Sequence, residues 1–331
     1  KKGKAPAKKK AKHASKAEEM GESVDEGIKD TVKAAGKKIG KATKKAKKFF
    51  GHGEHAAFDE FDDDEFDESV SESAIDTIRK MRIGQIQGSA MSSIGLARLT
   101  DSIQAFTLPM GFKDYDEVDR VKEAMFDDID SELSDSGFKL LFLVDIGWVY
   151  WFSADEIAVP QDLKDAKIFT SAGDYVTVEL FKKFGFNAIP MAETDILTGL
   201  QTGMINAMQT VPILSASSGW SALTPNMLDL KWATFIGAVI INDEVWSRIK
   251  PEHQKAMMAV AEDIGKKYQK NGREMEVKAI DAMQEYGMKI KTPTDQELEV
   301  WESFRKEITP DVIDTFLSQE IYNKVTSAID E

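Results

Sequence analysis

The sequence predicts an α/β protein of two lobes. Three observations carry that prediction: a βαβαβ alternation in the middle of the chain, strand-length apolar runs on either side of it, and 331 residues of which 42% are hydrophobic. That much apolar material can bury one large core or two smaller ones. In the alternation, residues 166–171 form a short apolar strand and residues 174–184 a helix opened by Asp174 at the N-cap. A second strand over 186–191 follows Gly185. A helix over 193–202 closed by Gly203 and a third strand over 204–210 complete the unit. This order predicts a parallel sheet covered by helices, with any ligand at the carboxyl ends of the strands. Residues 138–147 and 232–241 are further apolar strands, and 251–286 reads as one long helix with proline in its first turn.

Charge divides the chain into three zones. Residues 1–50 hold 17 lysines against 6 acidic residues, a basic tail. Residues 51–72 form an acidic linker, with 10 carboxylates from Glu54 to Glu72 and Phe58, Phe61 and Phe66 among them. The remainder, 73–331, has ordinary globular composition and carries all six tryptophans. Within the tail, Ile28, Val32, Ala35, Ile39, Ala42, Ala46 and Phe49 share one helical face. Gly27, Gly36 and Gly40 make such a helix marginal in isolation, so a solvated tail is the expectation. Lysines of this density bind polyanions through charge alone. Contact with nucleic acid, if any, is therefore confined to the tail, since the net charge of −14 repels it from the rest.

Several chemistries have no support. The absence of cysteine removes disulfides, thiolate metal sites, a cysteine nucleophile and a lipid-bearing N-terminal cysteine. Of four histidines, His13, His52 and His55 lie in the tail or linker, where nothing holds a catalytic geometry. His52, Glu54 and His55 have a metal-like spacing, but Gly51 and Gly53 loosen it and no third fixed ligand is apparent. No phosphate loop, nucleophile elbow or paired-histidine zinc motif occurs. No cofactor, metal or catalysis is expected. No apolar run approaches the roughly 18 residues of a membrane span. The chain begins with Lys1 and shows no leader segment, as expected of a mature form or a fragment.

Four ordered stretches carry a resemblance: IRKMRIGQIQG at 78–88, FTLPMGFKDYDEV at 106–118, PQDLKDAK at 160–167 and AIPMAETDILTGLQTGMIN at 188–206. Together they resemble the dicarboxylate-binding type of solute-binding protein of TRAP (tripartite ATP-independent periplasmic) transporters. The resemblance implies a type II, two-lobed periplasmic-binding-protein-like fold with parallel or mixed sheets, helices on their faces and a long C-terminal helix. It also implies a monomer outside the cytoplasm that captures a small molecule and delivers it to integral-membrane TRAP subunits. Such proteins begin with strand, helix and strand, for which residues 1–72 show no counterpart, so the first lobe is expected to be incomplete. An interaction module that tethers a degenerate lobe through the basic tail is the alternative.

The resemblance also implies a carboxylate clamp, and here the chain departs from it. Phe169 stands where an arginine follows the Asp-Leu-Lys strand, and the segment Asp145 to Trp151 lacks a second arginine. Val211 displaces an asparagine before Pro212. A ligand less polar than a dicarboxylate is the expectation, with polar contacts from Gln85, Gln87, Ser89, Tyr150, Asp174 and Gln209. Trp148, Trp151, Phe169, Tyr175, Val211 and Trp232 are expected to form the walls.

Overall fold

The computed structural model describes residues 74–172 and 174–330, without the Asp314 side chain. The basic tail, its amphipathic face, the linker and the His52–His55 pair lie outside the described residues.

Apolar residues at helical spacing open the chain with α1 (Ala74–Arg82), which buries Ile78 and Met81. Then come β1 (Gly88–Ser92), α2 (Ser93–Leu96) and a 3-10 turn over Ser102–Thr107. The 21-residue α3 (Tyr115–Asp135) starts where Asp114 accepts the Glu117 N–H, and it buries Val118, Val121, Met125, Ile129 and Leu133 along one stripe. The strand read from sequence at 138–147 runs further, as β2 (Phe138–Ser153).

The central alternation follows as α4 (Pro160–Lys164), β3 (Lys167–Ser171), α5 (Tyr175–Lys183), β4 (Asn187–Met191), α6 (Ile196–Thr202) and β5 (Ala207–Thr210). After α7 (Pro212–Ser217), the second long strand β6 (Asn226–Asn242) starts six residues before its expected position. The chain ends with α8 (Asp243–Ser247), α9 (Pro251–Glu285), β7 (Lys289–Lys291), α10 (Asp295–Thr315) and α11 (Gln319–Asp330).

The strands form one sheet in the order β1-β6-β2-β5-β3-β4, with β7 also on β6. It is mixed. Parallel pairing holds within β5-β3-β4 and for β6-β7, whereas β1-β6, β2-β6 and β2-β5 are antiparallel. β2 and β6 pair along nearly their whole lengths, from Phe138↔Asn242 to Ser153↔Asn226, so both pass through the two lobes. The first lobe holds β1, the Phe138 end of β2 and the Asn242 end of β6. Among the described residues β1 pairs with β6 alone.

Helix α9 lies along β2. A Cβ on Gly265 would stand 3.2 Å from the Phe142 ring, and one on Gly272 3.1 Å from the Asp145 carbonyl oxygen. Glycine at these two helical positions lets the backbones approach. Opposite them β2 has its own special glycine, Gly147, at φ +145. Gly147→Ala is expected to cost roughly 1–3 kcal/mol, because an L side chain resists that backbone and its Cβ would meet the Glu276 carboxylate. Chemical denaturation of the variant checks this, and an unchanged midpoint would show that the backbone relaxes freely.

Candidate functional site

The two lobes meet where β2 and β6 pass between them, and the pairing there is interrupted. The register steps from Val149↔Ala233 to Trp151↔Leu228, so Asp229, Leu230, Lys231 and Trp232 bulge from β6 opposite Tyr150. The bulge reaches into the first lobe. The Met110 N–H donates to the Trp232 carbonyl at 2.5 Å, from a loop in which Met110 itself takes φ +52. Lys231 Nζ donates to the Lys113 carbonyl at 2.6 Å and lies 4.8 Å from the centre of the Trp148 ring.

Below the bulge sits a buried polar cluster. Glu276 of α9 is 4% exposed and accepts a hydrogen bond from the Tyr115 hydroxyl, with Tyr150 and the Trp148 backbone close by. Burial pushes the Glu276 carboxyl above its ordinary value, although the Tyr115 hydroxyl, the polar groups of Trp148 and Tyr150 and the charge of Lys231 pull the other way. Burial and the Glu276 charge together raise both tyrosines, so both remain neutral donors. The Tyr115 and Trp148 rings lie 4.9 Å apart.

Beside this cluster stands an ion network. Asp145, whose side chain has no exposure, accepts from Lys122 Nζ at 2.6 Å and Arg273 Nε at 2.9 Å. Arg273 also grips Asp119 with two nitrogens at 2.6 and 3.0 Å and stacks 4.0 Å from the Tyr115 ring. Burial works to raise the Asp119 carboxyl, but the hydrogen bonds from Arg273 and Lys122 outweigh it and the net shift is downward. Two of the hinge cations, Lys122 and Arg273, are thus already answered by carboxylates of the same chain, whereas Lys231 is held by a backbone carbonyl and an aromatic ring.

The residues expected from sequence separate into groups. Trp148, Tyr150 and Val211 come together around Gly147 and Glu276. Trp151 is a correction: it is fully buried, with ring centres of Phe181, Phe186 and Trp232 at 6.0, 6.2 and 5.2 Å, and it fills the core of the second lobe rather than walling a cleft. Trp232 is 3% exposed and packs on Trp301 in the same core. The physical reason is pairing: Trp151 stands opposite Gln209 and Tyr150 opposite Thr210, so neighbouring residues of β2 point to opposite faces of the sheet.

Asp174 is also corrected, from ligand contact to helix cap, since its carboxylate accepts from the Thr177 N–H and hydroxyl at 3.0 and 2.6 Å. Tyr175 beside it is 79% exposed. Phe169, opposite Ile189 on β3, and Gln209 on β5 are half-buried. Gln85, Gln87 and Ser89 lie far from these, on β1 and the loop before it, with Gln87 donating to the Gly84 carbonyl and Ser89 to that of Ala90. A cavity of about 670 Å³ opens elsewhere, between α3, the end of α10 and α11. Some of its polar groups are occupied: Glu132 holds Thr100 and Ser102, and Asp128 holds Lys324.

Sequence reasoning missed Tyr115, Lys231, Arg273 and Glu276. One signal was present: Gly265, Gly272, Glu276 and Ala279 fall on a single face of α9, an acidic residue placed where the small residues bring the helix closest.

Residues 31–315 match the profile of the bacterial extracellular solute-binding proteins, family 7 (DctP). The chain belongs to this family. Its members are the periplasmic solute-binding proteins of TRAP transporters, and the match begins inside the segment that composition marks as a basic tail. The 2,3-diketo-L-gulonate-binding periplasmic protein YiaO of Escherichia coli is 29% identical over 234 residues, 70% of this chain and 71% of YiaO. The ectoine-binding periplasmic protein TeaA of Halomonas elongata is 24% identical over 129 residues, 39% of this chain and 38% of TeaA.

Among solved structures, a TRAP solute-binding protein of Xanthobacter autotrophicus with bound β-D-galacturonate superposes with TM-score 0.70 at 20% identity, covering 78% of this chain and 84% of that one. One from Shewanella oneidensis with bound succinate gives 0.71 at 17%, covering 77% and 84%. These likenesses establish the type II, two-lobed fold of TRAP solute-binding proteins for this chain. Among the described residues no helix is long and apolar enough to cross a membrane.

Proposed function

We propose that this solute-binding protein captures a small molecule less polar than a dicarboxylate between its lobes, outside the cytoplasm, and delivers it to TRAP-type membrane subunits without chemical change. Family membership supports the transport role. The observation that carries the ligand class is the make-up of the crossing: Phe169 stands where the resemblance places one clamp arginine, and the segment Asp145 to Trp151, where it places the second, holds Trp148 and Tyr150 but no arginine. The nearby cations do not reproduce the bidentate clamp, because Arg273 and Lys122 are bound to Asp145 and Asp119 and Lys231 is a single ammonium donating to the Lys113 carbonyl. A carboxylate brought here would lose water without gaining a bidentate partner. Phe169, Trp148, Tyr150 and Tyr175 are the contacts we assign to the ligand; Gln209, directly opposite Trp151, shares the core face of the sheet.

Mass spectrometry of whatever co-purifies identifies the solute, and thermal-shift screening of neutral, aromatic and acidic solutes ranks the classes. The expected result is stabilisation by an uncharged or weakly polar compound. Succinate and galacturonate are expected to bind no tighter than millimolar by calorimetry. Micromolar affinity for either would overturn the assignment of ligand class and leave the fold untouched.

A further inference from the structure

The first-lobe end of the sheet has two unequal faces. On one, Met91, Leu140, Ala238 and Ile240 are buried, with Met91 against Gly95 of α2. On the other, the registers Ala90↔Val239↔Phe142 and Gly88↔Ile241 set apolar residues side by side, yet Ala90 is exposed and Phe142, Val144, Val239 and Ile241 are only half-buried. A Cβ on Gly237 would meet the Ile146 and Val144 side chains at 3.3 and 3.7 Å, which fixes both on this second face. Among the described residues the sheet ends at β1, which pairs with β6 alone.

Helix α9 walls one side of this apolar floor. Its Gly265 rests on Phe142, while Gln269 and Arg273 reach Asp119 of α3. The flank of α9 turned away from α3 therefore carries Met257, Ile264, Tyr268 and Met275 at helical spacing, with Val260 beside them. Val260 is 57% and Tyr268 55% exposed. An apolar floor that meets an apolar wall receives an amphipathic helix, which can bury two sides of its stripe at once.

One segment of this chain has the matching form. The apolar face that runs from Ile28 through Ile39 to Phe49 spans 22 residues, about 33 Å as a helix, and the ten residues of β2 from Phe138 to Gly147 are about as long. Glycines at 27, 36 and 40 mean that such a helix needs a partner surface to be stable. The 24 residues from 50 to 73 can reach about 80 Å, and they lead into α1, which packs on β1 at the open side of the floor. The segment carries nine lysines against Asp30 alone, whereas the chain is net −14 even with these counted, so charge draws the segment to the body. The family profile also begins at residue 31, inside this segment. We infer that residues 28–49 dock in the groove between the first-lobe sheet and α9 as a helix, with the apolar face against Ala90, Val239 and the Val260 flank, and complete the first lobe within the same chain. The docking is independent of which solute is captured.

The chain has no cysteine, so Lys37→Cys, opposite the apolar face of the segment, and Lys270→Cys, exposed on α9, accept a pair of spin labels. Pulsed electron paramagnetic resonance on the full labelled chain is expected to give one narrow distance distribution, unchanged when labelled chains are diluted with an excess of unlabelled ones. Ile39→Glu in the segment and Val260→Glu on the α9 flank are each expected to broaden it and to lower the melting temperature by a few degrees. Val260 is too exposed for its replacement to unfold the body, so this variant remains readable should Ile39→Glu fail to express. A broad distribution in the parent overturns the inference, including one that narrows only when anionic vesicles or nucleic acid are added. A narrow component that is lost on dilution assigns the groove to a second copy of the chain, and a variant at either position that leaves the distribution unchanged shows that the apolar faces are not the contact. Either result overturns the inference as well.

Discussion

Replacing Trp151 by alanine is expected to lower the free energy of unfolding by about 3–5 kcal/mol, the loss typical of a fully enclosed aromatic side chain. The side chain has no exposure, and its neighbours Phe181, Phe186 and Trp232 are themselves pinned by α5, β6 and Trp301. They cannot collapse into the space it leaves. The melting temperature should drop by on the order of 10 °C. Solute affinity of the folded fraction should change little, since the indole lies on the core side of β2. The complementary variant is Phe169→Ala, at a half-buried position, which should weaken solute binding by roughly tenfold with a smaller loss of melting temperature. A Trp151→Ala chain that melts as the parent does but binds solute poorly would reverse the assignments of the two residues.

Asp145→Asn is expected to be nearly as damaging, by about 3 kcal/mol, for an electrostatic reason. The variant keeps the shape of the side chain but leaves Lys122 and Arg273, 12% and 23% exposed, without the carboxylate that holds both. The loss sits at the low end for a broken buried pair because Asp119 remains within 3.0 Å of Lys122 and keeps its two bonds from Arg273. Denaturant unfolding of Asp145→Asn, Lys122→Met and the double variant forms a cycle. A large positive coupling between the two sites is expected. Additive effects would show that Asp145 acts through Arg273 alone.

Much of the second lobe was legible in the sequence, and particular residues show why. The strands β3 and β4 fall within one residue of the segments read at 166–171 and 186–191, because short apolar runs there alternate with a helix capped by Asp174. Local order suffices for such units. The sheet's mixed direction was not legible from local pattern, only allowed for by the resemblance, since it depends on β2 meeting β6 across some 70 intervening residues. The hinge was harder still. Its groups come from positions 115, 148, 150, 231, 273 and 276: Trp148 and Tyr150 were expected from the sequence, Glu276 was marked only by the small residues on its helix face, and Tyr115, Lys231 and Arg273 look like the ordinary polar surface of a helix or strand. Trp151 and Tyr150 looked equivalent in sequence as adjacent aromatics, and only the alternation of a strand distinguishes them, one to the core and one to Glu276.

Because β6 serves both lobes, neither lobe can be finished before the other. The Phe138 end of β2 waits for the Asn242 end of β6, and the Ser153 end for Asn226. A nascent chain that has emerged only as far as β5 carries both halves of β2 with one long edge open. Its α/β unit can collect its helices, yet the sheet to which it belongs lacks the strand at its centre. Pairings of such separation close slowly, and open edges meanwhile attract other chains. The architecture that lets one strand couple two lobes in the folded protein thus also sets the period during which the growing polypeptide most needs protection from aggregation.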